Sequence, residues 1–144
     1  MAPPHPPAAT WRKVGLADGD RLVLVHAPAN WTADGAPVSV TVSRRRTRTP
    51  SDGVVAFYRS ARELDREAAV LPESIEPDGM VWVAWPRKAA GHMSDLGDGV
   101  VRATMLAFGV VDVKVAALDE DWSGLKFVWR RKLRDGVRRR RDAG

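Results

Sequence analysis

The sequence predicts an α/β fold: a mainly parallel sheet that ends in an antiparallel strand pair, with helices on both faces. Three observations carry this. Short β-branched runs alternate with helix-patterned segments, the pattern left by strand–helix–strand crossovers. Several of these runs are continuously apolar rather than alternating, as expected of strands covered on both faces. Only Ala117–Ser123 separates the last two runs, too few residues for a crossover helix, so these two strands must turn back on each other.

Along the chain, residues 1–9 begin Met1-Ala-Pro-Pro-His-Pro-Pro, with four prolines in seven residues, and read as a disordered polyproline-like arm. The stretch lacks the apolar region of a secretory signal. A short helix is expected around Trp11–Leu16. The turn Ala17-Asp-Gly-Asp20 opens a first strand, Arg21–His26. Val38–Val42 alternates and reads as a half-buried strand near an edge, although the link before it, Ala27–Pro37, is short for a parallel crossover. Gly53–Tyr58 and Met80–Trp85 are apolar central strands. Val111–Ala116 and Gly124–Trp129 form the closing pair. Between the strands, Ser60-Ala-Arg-Glu63 has the form of a capping box, and Pro72 stops the helix it begins. Ser94 or Asp95 can cap a second helix with the stripe Leu96, Val100, Ala103 and Ala107, and Gly109 stands where a C-terminal cap belongs. One domain is expected over residues 10–130, followed by a basic tail, 131–144, that becomes progressively disordered.

A chain of 144 residues with 44% hydrophobic content can bury an independent core. No apolar run approaches the ~20 residues of a membrane span, so no membrane partner is expected and the expected compartment is cytoplasmic. The chain has no cysteine, which excludes disulfides, thiolate nucleophiles and cysteine-ligated metal. The net charge of +5 is local: from Arg130 to the end, eight bases face two acids, giving +6, and Arg44–Arg48 adds +4, so the remainder carries −5. Two basic segments on an acidic body do not make a globally basic nucleic-acid-binding domain.

Three segments carry a family resemblance: Val14-Gly-Leu-Ala-Asp-Gly-Asp-Arg-Leu-Val-Leu-Val-His-Ala-Pro28, Ile75-Glu-Pro-Asp-Gly-Met-Val-Trp-Val-Ala-Trp-Pro-Arg-Lys88 and the stretch Gly109–Val128. Together they resemble the bacterial domain family DUF3052 over roughly residues 12–130. Where other members have a longer stretch after the first strand, this chain has only Ala29–Ala36. The resemblance implies no particular activity. More distantly, Glu76-Pro-Asp-Gly-Met-Val-Trp-Val and the closing strand pair resemble Rossmann-like S-adenosylmethionine methyltransferases, which implies a methyltransferase-like sheet.

The residues needed for that family's chemistry are missing. Dinucleotide and S-adenosylmethionine sites place glycines after the first strand so that the backbone can approach the ligand, and an acid after the second to bind ribose. Here the first turn is His26-Ala-Pro-Ala-Asn30 and the second strand runs into Ser43-Arg44-Arg45-Arg46. No cofactor is predicted. Ser60 lacks the glycines of a nucleophile elbow and reads as a cap. His5, His26 and His92 are scattered, and Asp119-Glu120-Asp121 reads as a solvated turn, so neither a metal site nor a catalytic residue is assigned.

What remains is geometry. Ligands of open α/β sheets bind outside the carboxyl ends of the strands. The exits carrying His26, Arg59, Trp85, Arg87 and Lys88 should converge there, and Trp122 and Lys126 join them if the closing pair packs alongside. Aromatic area beside cations suits a small anionic ligand or an acidic protein segment, with Asp95 the nearest internal carboxylate. The expected function is a non-catalytic binding or regulatory module on a degenerate methyltransferase-like sheet. The alternatives are an enzyme with an atypical site around His26, Arg59 and Lys88, and a nucleic-acid-associated protein acting through Arg138, Arg139, Arg140 and Arg141. Trp82 reads as core, and Trp31 and Trp129 as candidate surface anchors.

Overall fold

Six strands share one sheet in the computed structural model, which describes residues 5–143. They are β1 (Arg21–Val25), β2 (Thr41–Ser43), β3 (Ser51–Phe57), β4 (Ile75–Pro86), β5 (Val110–Ala117) and β6 (Trp122–Trp129), in the spatial order β2-β1-β3-β4-β6-β5. The first four run parallel, and β6 lies antiparallel between β4 and β5. Successive side chains of a strand point to opposite faces, and both faces are covered here, which is why the central runs are apolar throughout. Leu22, Leu24, Val55, Phe57, Met80 and Trp82 pack toward Trp11 and Val14 of α1 (Ala8–Val14). Val23, Val25, Val54, Ala56, Val81 and Val83 share the opposite layer with Leu64, Val101, Met105 and Val137. These come from α2 (Ala61–Glu67), α3 (Asp98–Leu106) and α4 (Arg131–Ala143).

The Ser60 half of the capping box forms, with Ser60 Oγ accepting from Glu63 N at 3.2 Å, while Glu63 Oε1 accepts from Arg59 N at 2.9 Å, one residue before the cap. The hairpin pairs Val110 with Trp129 through to Ala117 with Ser123, with one irregularity between Asp112 and Lys114. Its turn is held by Asp119 Oδ1, which accepts from the backbone N–H groups of Asp121 and Trp122 at 2.8 Å each.

Several expectations need correction. The arm does not extend to residue 9: α1 begins at Ala8, Pro6 is buried, and Thr10 Oγ1 donates to Leu118 O at 2.6 Å. Residues 1–4 lie outside the described residues. Val38 is fully exposed, because residues 37–40 form a turn closed by Val40 N donating to Pro37 O, and the strand starts only at Thr41. The crossover before it runs parallel without a helix. In the second helix, Gly97 adopts an extended conformation at the N-cap, so the helix begins at Asp98 and its phase is reset. Leu96, Val101 and Met105 are buried instead of the stripe through Val100 and Ala103. The basic tail is also ordered. It forms α4, docked through Val137, which is 5% exposed.

Candidate functional site

The carboxyl edge of the sheet brings together most of the predicted site residues. His26 follows β1, Arg59 follows β3 by two positions, Trp85 and Arg87 bracket the end of β4, and Trp122 faces Pro86 at the start of β6. Trp122 packs edge-on against Phe57, with centroids 5.0 Å apart, and carries the Arg59 guanidinium over its ring at 5.1 Å, a cation–π contact. Arg87 donates to the backbone carbonyls of Asp119 and Glu120, tying β4 to the hairpin turn. Lys88 is exposed and has no hydrogen-bond or ion-pair partner among the described residues. Trp85, 6% exposed, floors a cleft of about 530 Å³ whose walls include Arg87, Lys88, Ser123 and Val115, with Gly97 and Asp98 at the amino end of α3. No side chain caps that helix end, and nothing lies within 4 Å of the Cβ position of Gly97 or Gly99.

Four of the set do not line this cleft. Trp122, with Arg59 over its ring, belongs to the layer of Phe57, on the face of the sheet opposite Trp85. Lys126 pairs in register with Trp82, well inside the sheet, because antiparallel β6 runs away from the exit edge by about 3.3 Å per residue. Its amine lies near Gly15 in a second cleft at the opposite edge, where burial first and then repulsion from Lys114 pull its pKa below the ordinary lysine value. His26 is engaged elsewhere: Glu67 Oε2 accepts from its Nε2 at 2.8 Å. Glu67 Oε1 accepts from the Tyr58 hydroxyl at 2.7 Å and from Arg46 at 2.8 Å. Nor does Asp95 neutralise the edge cations. Its Oδ1 accepts from Ala61 N at 2.8 Å and so caps α2.

Sequence reasoning missed what fills the turn after β1. Arg44, from the arginine run after β2, donates to the carbonyls of Ala27 (2.6 Å), Pro28 (3.2 Å) and Trp31 (2.6 Å). Trp31 is a core residue, fully buried, stacked edge-on with Trp11 and Phe57, its Nε1 donating to Asp119 Oδ2 at 2.9 Å. Trp129, the other expected surface anchor, is also buried. His26 itself has a left-handed φ of +57°, a conformation costing a non-glycine residue about 1 kcal/mol.

No family model matches the chain, and no curated protein is similar to it in sequence. Solved structures are similar in fold. Ribosomal protein L11 methylase from Lactobacillus delbrueckii subsp. bulgaricus shares 11% identity over 85% of this chain and 77% of its own, with a TM-score of 0.55. Magnesium protoporphyrin IX methyltransferase from Synechocystis PCC 6803, with bound S-adenosylmethionine, shares 8% over 85% and 76%, also at 0.55. The glycopeptide N-methyltransferase MtfA, complexed with the same cofactor, shares 10% over 87% and 88%, again at 0.55. The sheet is therefore methyltransferase-like. The residues present do not fit that family's cofactor, because the turn that would meet it has no glycine, its carbonyls are taken by Arg44, and an arginine run replaces the acid after β2. No helix among the described residues is long and apolar enough to cross a membrane.

Proposed function

We propose that this chain, a relative of the DUF3052 family as its three quoted segments suggest, is a non-catalytic binding or regulatory module on a degenerate methyltransferase-like fold. It recognises an anionic group or acidic protein segment at the cleft floored by Trp85. The observation that carries the reading is the Arg44 guanidinium bonded into the turn after β1. A backbone whose acceptors are already satisfied, above a filled tryptophan layer, offers no seat to an adenosyl group, and removing Arg44 would take the side-chain donor from the carbonyls of Ala27 and Trp31, while Pro28 O keeps its bond from Trp31 N. The recognition chemistry is left to the neighbouring cleft. There the exposed ammonium of Lys88 beside the Arg87 guanidinium favours negative charge.

Calorimetric titration with S-adenosylmethionine is expected to show no binding tighter than about 1 mM. In a two-dimensional amide spectrum, a short polyglutamate peptide is expected to shift signals of Trp85, Lys88 and residues 97–99. The Arg59→Met, Lys88→Met double variant should lose that response while keeping stability within about 0.5 kcal/mol. Arg87 is spared because it closes the hairpin turn. Micromolar cofactor binding, or a peptide response unaffected by the double variant, would overturn the proposal.

A further inference from the structure

The edge of the sheet opposite the Trp85 cleft carries an independent feature. In α4, seven bases, six of them arginines, face two acids over thirteen residues. Four of the arginines are occupied by the body of the protein, Arg134 through the carbonyl of Trp129 at 3.2 Å. Arg138 Nη2 donates to Asp78 Oδ2 at 2.5 Å, Arg140 Nη2 meets both carboxylate oxygens of Glu73 at 3.1 and 3.0 Å, and Arg141 donates to the carbonyls of Ile75 and Glu73. We infer that α4 is a nucleic-acid-binding helix whose phosphate-reading arginines are held by the protein's own carboxylates, and that it binds by leaving this seat.

The seat is weak by construction. Glu73, Asp78, Arg138 and Arg140 are all substantially exposed, so their ion pairs contribute little and are screened by salt. The apolar hold is small: Val137 is the one buried residue of the helix, Leu133 is partly exposed, and Gly136 lowers the helix propensity at its middle by about 1 kcal/mol. The chemistry of the seat resembles that of the partner. An arginine fork that takes both oxygens of a carboxylate takes two oxygens of a phosphate in the same way. Within the run Arg138–Arg141, docking engages three members and leaves Arg139 without an internal partner among the described residues. A duplex or single strand presents charges densely enough to engage the whole run. An anionic bilayer suits it less, since Leu133 and Val137 do not make an apolar face able to enter lipid.

The test uses the full chain and a fluorescein-labelled single-stranded DNA of about 20 nucleotides, followed by anisotropy at about 50 and 200 mM salt. Binding that weakens steeply with salt is expected. Glu73→Gln with Asp78→Asn removes the internal competitors and should tighten binding roughly three- to tenfold. Arg138→Gln, Arg140→Gln and Arg141→Gln together should lower the salt slope by about two on a single strand. Hydrogen exchange at residues 137–141 should quicken when DNA is added. Absence of binding at low salt, equal affinity in the carboxylate variant, slower exchange on binding, or preference for phosphatidylserine vesicles over DNA would each overturn the inference.

Discussion

Glu67 accepts hydrogen bonds from three side chains, Tyr58, His26 and Arg46. Burial alone would raise its pKa, but hydrogen bonds from Tyr58 and His26, with the charges of His26 and Arg46, outweigh burial and hold it below the ordinary value of 4.5. Tyr58 is moved the other way, by burial first and then by its bond to Glu67, above its ordinary value of 10.0. A depressed carboxylate stabilises the fold above its unfolded pKa, and that contribution is lost as pH falls through the folded one. A raised phenol stabilises below its unfolded pKa, and that contribution is lost as pH climbs. Stability should therefore decline below about pH 4.5 and again above about pH 10. Glu67→Gln should flatten the acid arm and Tyr58→Phe the alkaline one. Urea midpoints measured across pH check this, and an acid arm unchanged in Glu67→Gln would refute it. The glycine-free turn beside this cluster was legible in the sequence. That Arg44 fills it was not, because the contact depends on β2 lying beside β1.

At the scale of single elements, the amino end of α2 combines a local and a distant cap. Ser60→Ala removes the local one and should cost about 1 kcal/mol in chemical denaturation. No change would mean that Asp95 and Glu63 hold the helix end without it. The same contrast decides what could be read in advance. The Ser60 cap, the central strands and the hairpin formed where the sequence placed them, although β4 begins at Ile75, before the run Met80–Trp85, and α2 ends at Glu67, before Pro72. The phase of α3 depended on a single extended glycine, and β2 was shortened by the turn that follows Pro37. Within the candidate site, Trp85, Arg87 and Lys88 share a cleft because they are consecutive at one strand exit. Lys126 could not be placed without knowing how far β6 runs back from that edge. The docking of α4 was invisible, since its acceptors lie 60 and 67 residues earlier in the chain.

For the whole molecule, α4 changes what truncation should do. A disordered tail could be removed without effect. Here a chain ending at residue 130 uncovers the seat of Val137 and the ring of Trp129, against which Leu133 lies beside Gly109. The loss should be about 1–2 kcal/mol, or roughly 3–8 °C in Tm by calorimetry. An unchanged Tm would mean that α4 rests on the body without stabilising it. The distribution of tryptophans has an optical consequence. Four of the six, Trp11, Trp31, Trp82 and Trp122, lie in the layer shared with α1, and Trp31 and Phe57 join Trp11 to Trp122 through edge-on contacts of 5.6, 4.9 and 5.0 Å. Intrinsic emission is thus weighted toward the layer beneath the Arg44 turn. Trp129, in the other layer, is the fluorophore closest to the seat of α4. One steady-state spectrum therefore carries two separable signals, a strong one from the turn after β1 and a weaker one from the helix at the opposite edge.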